Sequence, residues 1–238
     1  MKKLHYNTVS KTLINCLKEL IKEPLLENFI LVGGTSLSLQ LGHRISIDID
    51  LFTDSPYGSV DFIAIQKMLR EKFNFCFGEC GDVVSFGTSY LIGGTKEDSV
   101  KLDLFYTEPF IREIQLIDGI RMASLEDIVA MKLHVMGDGG RKKDFWDLNE
   151  LQSKFTLNQM LNLYEEKFPY DYTREEIIKH WQEYIIPTVF RAEDKLRPQL
   201  KEVLEKYKDD KEKAAEIYSR MIAEEIVSHT TDEEIAEL

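Results

Sequence analysis

The sequence predicts an α/β domain through about residue 153, followed by a helical region. Three observations carry this expectation. Residues 45–52 alternate strictly between apolar and polar, a short apolar run at 29–32 closes on Gly33 and Gly34, and the chain beyond about residue 155 is charged and strand-free. With 238 residues there is room for one large domain or a domain with a helical appendix, so we divide the chain at 1–153 and 154–238. A composition of 43% hydrophobic and 30% charged residues excludes fibrous, low-complexity and disordered classes.

Taken in order, Val9, Leu13, Cys16, Leu17, Leu20 and Ile21 recur at helical spacing, and Pro24 stops the pattern. Residues 29–32 read as a buried strand entering the Gly33 and Gly34 turn. A short helix through Leu37, Leu39 and Leu41 follows and ends near Gly42. Residues 45–52 form a strand, residues 60–73 an amphipathic helix, and residues 83–92 and 100–106 neighbouring strands parted by the turn Gly93-Gly94-Thr95. Ser124 opens S-L-E-D, a capping box for a helix over 125–136. Glycines 137, 139 and 140 end that helix, and a further helix carries Phe145, Leu148 and Leu151.

The net charge of −12 argues against indiscriminate coating of nucleic acid but leaves room for one local basic groove. Cys16, Cys76 and Cys80 read as small hydrophobes in a reducing cytosol. The C-x-x-x-C pair has no His nearby to make a zinc site. The N-terminus carries two lysines without a following apolar run, so no signal peptide is expected. No apolar stretch approaches 18 residues, so no membrane partner is expected either, and the protein is placed in the cytoplasm.

In the strand at 45–52 the side-chain period of two puts Ile45, Ile47, Ile49 and Leu51 on one face and Ser46, Asp48 and Asp50 on the other. Two carboxylates ~5 Å apart at an effective dielectric of ~20 repel by about 3 kcal/mol. A divalent cation between them reverses that sign, and hard oxygen ligands suit Mg²⁺ or Mn²⁺. A solvated edge strand is the plainer reading of the same pattern. Asp103 has a similar setting, sharing a face with Lys101 opposite Val100, Leu102 and Leu104. Three such carboxylates on neighbouring strands form a cradle for metal-assisted phosphoryl or nucleotidyl transfer, with Asp103 placed to lower an acceptor hydroxyl's proton affinity. Gly33-Gly34-Thr35-Ser36, between a strand and a helix, lets backbone N–H groups approach a phosphate.

The segment G-G-T-S-L-S-L…H-R-I-S-I-D-I-D-L-F resembles motif I of the AbiEii/AbiGii toxin-type nucleotidyltransferases of the polymerase-β-like superfamily. S-L-E-D-I-V-A-M-K-L followed by G-R-K-K-D-F-W-D-L is similar to that family's distal motifs, so the likeness covers about residues 28–153. It implies a polymerase-β-like core with a mixed sheet and Mg²⁺-dependent transfer of NMP from an NTP to an acceptor. It also implies a toxin acting beside an antitoxin. Carried over by position, Gly34 with Thr35 or Ser36 holds phosphates, Asp48 and Asp50 hold metal, and Asp103 is the third carboxylate. Gly33 and Lys101 join the candidate nucleotide site, as do Arg44 and Ser46, which precede the D-x-D.

Lys132 sits in the middle of the apolar stripe Leu125, Ile128, Val129, Leu133 and Met136. Such a lysine snorkels, pairs with a buried carboxylate or, as the resemblance implies, grips the triphosphate. Asp144 either orders the site by pairing with Lys132 or Arg44, or stands beside a local Lys143–Asp147 pair. Arg141, Lys142 and Lys143 offer a phosphate track that Arg191, Lys195 and Arg197 extend, unless those three belong to a mixed-charge helix face. His43 and Arg44 also read as ordinary loop residues, and His134 as a surface histidine. Residues 201–238 hold 12 acidic against 6 basic residues and read as a solvated helix face.

The leading account is an NTP-using enzyme whose acceptor is tRNA, a protein or a small molecule. A catalytically idle module with the same fold would have lost a carboxylate or the glycine turn. A metal-dependent phosphohydrolase would bring histidines to the acids.

Overall fold

A computed structural model describes residues 3–79 and 86–180 together with isolated positions between 199 and 221. Cys80, the start of the strand expected at 83–92, Arg191, Lys195, Arg197 and most of 201–238 lie outside the described residues.

Among the described residues seven strands form one mixed sheet, ordered β3-β4-β5-β2-β1-β7-β6. They are β1 (Ile30–Leu31), β2 (Asp48–Thr53), β3 (Phe75–Phe77), β4 (Gly87–Gly93), β5 (Ser99–Tyr106), β6 (Gln115–Ile117) and β7 (Ile120–Met122). The helices are α1 (Lys11–Leu20), α2 (Gly33–Leu41), α3 (Phe62–Lys72), α4 (Leu125–Gly137), α5 (Lys142–Leu151) and α6 (Leu157–Lys167). Residues 174–180 are also helical. The central pairing is parallel: β2 lies beside β5 with Asp48 opposite Lys101 and Asp50 opposite Asp103.

Two apolar cores sandwich this sheet. Leu13, Leu17 and Leu20 of α1 and Ile65 and Leu69 of α3 cover Ile49, Leu51, Leu102 and Leu104. On the other side α4, α5 and α6 meet through Ile128, Leu133, Met136, Leu148, Met160 and Tyr164, with Leu37 of α2. The expected boundary at residue 153 falls between α5 and α6, whose apolar faces share this second core.

The helix starts obey local chemistry. Ser10 accepts from the Leu13 N–H at 3.0 Å, and Ser124 caps α4 by accepting from Asp127 at 2.9 Å. Gly42, in the left-handed region at φ 75°, ends α2 where the spacing predicts.

Three expectations need correction. The strand expected from residue 45 begins only at Asp48, where its ladder with β5 starts. Ile45 and Ile47 are therefore outside the core at 64% and 42% exposure, while Ser46 is buried and its backbone bridges to Val9 and Thr8. Gly33 is not in a separate turn but is the first residue of α2, at φ +65°. Finally, β3 and the β6–β7 hairpin go beyond the expectation. The hairpin has a readable cause, since Asp118 and Gly119 both take positive φ in a two-residue turn.

The helical region is fastened by a buried lysine. Lys167 is fully buried and donates to the Glu108 and Pro109 carbonyls, both at 2.9 Å, and to Asp127 Oδ1 at 3.4 Å. Asp127 in turn accepts from the Ile111 and Arg112 backbone N–H groups. Lys167→Met should strip these acceptors of their donor and lower stability by about 3 kcal/mol in urea unfolding. A loss below about 1 kcal/mol would show that α6 is held by its apolar face alone.

Candidate active site

The side chains of one sheet face build the site. Along β2 the inward residues are Ile49, Leu51 and Thr53, which leaves Asp48, Asp50 and Phe52 on the opposite face, half-buried. Along β5 the same face carries Lys101, Asp103 and Phe105. Because the ladder is parallel and in register, Asp50 and Asp103 stand side by side with Asp48 two residues earlier. All three line one cleft, whose other walls are Gly33, Gly34, Arg44, Ser46 and the α4–α5 side chains Met131, Lys132, Arg141, Lys143 and Asp144.

The three acids differ in their partners. Asp103 accepts from Ser89 at 2.5 Å and from Lys101 at 2.9 Å. Asp48 lies 3.5 Å from Lys143 Nζ. Asp50 has no hydrogen-bond donor among the described residues. Burial, then the charges of Asp103 and Asp48, push its carboxyl up to about 6, against the pull of Lys132 and Lys143. Lys101 is affected in the reverse sense. Burial disfavours its charge, but Asp103, Asp48 and Asp50 hold it above the usual lysine value. Among the described residues no three His, Cys, Asp or Glu side chains are gathered closely enough to hold a metal ion, and two of these acids stand beside lysines.

The glycines of α2 are needed by this crowding. A Cβ on Gly33 would strike the Asp50 carboxylate, and one on Gly34 would strike the Arg44 guanidinium. Their backbone therefore lies directly against the acids and bases of the cleft, at a helix N-terminus whose first N–H groups have no partner within the helix. The hydroxyls of Thr35 and Ser36, expected to meet phosphate, are fully buried and do not line the cleft. Thr35 donates to the Asp48 carbonyl and lies 2.9 Å from the Ser46 hydroxyl, tying α2 to the start of β2. Ser36 accepts from Gln40 at 3.2 Å.

Behind the cleft lies a buried ion network. Lys132 Nζ contacts Asp144 Oδ1 at 2.5 Å and Asp147 Oδ2 at 2.7 Å. Asp147 also takes a two-pronged bond from Arg44, Nε at 2.7 Å and Nη2 at 2.8 Å, and lies 2.7 Å from His43 Nε2. Asp144 is bound by the backbone N–H and Nε of Arg141, both at 3.1 Å. Burial works against both acids, yet Lys132, Arg141, Arg44 and His43 hold them below the ordinary carboxylate range.

Several expectations change here. Lys132 pairs with buried carboxylates, one of the alternatives its setting left open, and Asp144 is one of its partners, again one of the readings left open. Asp147 does not pair with Lys143 across one helical turn but centres the network. Its signal was present in D-F-W-D, whose two acids share a helix side. His43 and Arg44 are anchored through it rather than loose in a loop. Ser89, which orients Asp103, was missed because it carries no motif and is revealed only by the β4–β5 register. His134 stays partly exposed, as expected, but it is not free: it stacks on Phe168 at 4.4 Å and faces Asp171 at 3.5 Å.

Residues 15–234 match the family described as "Nucleotidyl transferase AbiEii toxin, Type IV TA system", well over half the chain. The protein is therefore a nucleotidyltransferase by class. Within that class it belongs to the AbiEii toxin family, and the match extends beyond the 28–153 stretch where the sequence resemblance lay. It is 29% identical over 160 residues to an uncharacterized protein of Aquifex aeolicus strain VF5, covering 64% of this chain and 72% of that one. Among solved structures it is similar to JHP933 from Helicobacter pylori, with TM-score 0.46, 20% identity, 72% of this chain and 90% of that one. It is also similar to an antigenic nucleotidyltransferase-like protein from Paracoccidioides brasiliensis, with TM-score 0.45, 17% identity, 75% of this chain and 89% of that one. Among the described residues no helix is long and apolar enough to cross a membrane.

Two stability measurements follow. Folding depresses Asp147 below its ordinary 3.8, so its contribution is complete above that pH and is lost on acidification below it. Asp147→Asn should cost about 3 kcal/mol at pH 7 and flatten the acid limb of the stability curve below pH 4, whereas parallel acid limbs would contradict the network. Asp50→Asn should instead stabilise the metal-free protein at pH 7 by about 1–2 kcal/mol, because it removes a charge that folding disfavours. A destabilised Asn variant would mean that Asp50 has a partner in the fold.

Proposed function

We propose that the protein transfers a nucleoside monophosphate from an NTP to an acceptor hydroxyl, with Mg²⁺ or Mn²⁺ held by Asp48, Asp50 and Asp103. The observation that supports this most is the parallel register, which sets Asp50 beside Asp103 on the face that also carries Asp48, at the foot of the glycine start of α2. The donor set fits a hard divalent ion. It is all carboxylate, and Asp50 is raised by burial and then by the charges of Asp103 and Asp48, with no hydrogen-bond donor among the described residues.

In this reading the triphosphate lies across the first N–H groups of α2 at Gly33 and Gly34, with Lys101 and Lys143 supplying positive charge from the cleft walls. A bound divalent ion supplies charge neutralisation along the polyphosphate and lowers the proton affinity of the acceptor hydroxyl. Asp103, oriented by Ser89, accepts that hydroxyl's proton. The acceptor oxygen bonds to the α-phosphorus, the bond from that phosphorus to the bridging oxygen breaks, and pyrophosphate leaves. The network of Lys132, Asp144, Asp147 and Arg44 fixes the wall that faces this reaction. The acceptor is tRNA, a protein or a small molecule in the cytoplasm, and the toxin designation of the family extends the reading to a toxin kept in check by a cognate antitoxin.

The test is incubation of purified protein with each α-labelled NTP, Mg²⁺ and bulk tRNA, candidate proteins or small hydroxyl acceptors. Label should move to one acceptor class, stop with chelator, and fall by about 100-fold or more in Asp48→Ala and Asp50→Ala. Transfer that survives both substitutions would take these acids out of the mechanism.

A further inference from the structure

Lys143 is a cation of the cleft that α5 brings to β2, and its setting differs from what its spacing suggests. Its natural helical partner, Asp147, is already saturated by Arg44, His43 and Lys132. The Lys143 side chain is only 14% exposed and reaches across the cleft to stand 3.5 Å from Asp48 Oδ2. A lysine drawn this far out of water needs a fixed anion. The anion it has found is a carboxylate that the proposed function assigns to a divalent ion.

We propose that Lys143 is a resident cation of the metal-free cleft, holding Asp48 and competing with a divalent ion for that carboxylate. The proposal rests on the metal reading of Asp48, Asp50 and Asp103. The contact suits exchange. At 3.5 Å it is an ion pair without a tight hydrogen bond. A doubly charged ion at about 2.1 Å attracts the same oxygen more strongly than one ammonium can at the longer distance. The four-carbon stem lets the ammonium swing aside without moving α5, whose position the buried Asp144 and Asp147 already fix. The ammonium therefore does two things in the empty site: it offsets the like-charge repulsion around Asp50, and it lowers the affinity for free metal.

The experiment is a titration of the full chain with Mn²⁺ alone, reading free Mn²⁺ by its paramagnetic resonance signal, for wild type, Lys143→Met and Asp50→Asn. Lys143→Gln is run in parallel, and thermal melting checks that each variant is folded. The proposal expects Mn²⁺ to bind Lys143→Met and Lys143→Gln about three- to tenfold more tightly than wild type, and Asp50→Asn far more weakly. Unchanged or weaker binding in the Lys143 variants, with binding lost in Asp50→Asn, overturns the proposal while sparing the metal site. Wild-type binding in Asp50→Asn overturns the metal reading and this proposal with it.

Discussion

The parallel ladder between β2 and β5 is the constraint from which the site follows. Main-chain hydrogen bonds fix the register, so the protein cannot relieve the repulsion between Asp50 and Asp103 by sliding one strand along the other. A one-residue slip of β2 would turn Asp48 and Asp50 into the apolar core that Ile49 and Leu51 fill. The ladder therefore holds three acids on one face at a cost to stability, visible in the raised Asp50 carboxyl. It also sets their distance from α2, whose first two residues must be glycine for the backbone to lie against Asp50 and Arg44.

A second buried interaction gives the site its opposite wall. Lys132 comes from α4, Asp144 and Asp147 from α5, and His43 and Arg44 from the link between α2 and β2. These three parts of the chain also meet through apolar side chains, which specify position loosely. Paired charges with little or no access to water tolerate little displacement, since a lost partner leaves a desolvated charge. The network is thus better understood as a geometric clamp than as a source of stability. It keeps α5 over the acid face, which is why Lys143 reaches Asp48 at all.

Much of this was legible in the sequence, and the residues that were not share a physical reason. The capped start of α4, the glycine end of α2 and the D-x-D face depend on neighbours a few positions away, and all appear where local pattern puts them. Ile45 and Ile47 misled because alternation records what a strand could bury, while β5 decides how far the ladder runs. Asp147 and Ser89 were hidden for a related reason: their partners, Arg44 and Asp103, lie 103 and 14 residues away in sequence. Thr35 and Ser36 sit in the matching motif, yet their side chains point into the fold and leave only the glycine backbone to face the cleft. Lys132 was identifiable as anomalous from its apolar stripe alone, and only the fold could name its two carboxylates.

The most direct test of the account is crystallography of the protein with Mn²⁺ and a non-hydrolysable α,β-methylene NTP, with the ion located by its anomalous scattering. The account predicts an anomalous peak within about 2.2 Å of oxygens of Asp48 and Asp50, close to Asp103, with the polyphosphate against the backbone of Gly33 and Gly34. An ion and nucleotide bound elsewhere, with Asp48 and Asp50 still facing only protein groups, would contradict it.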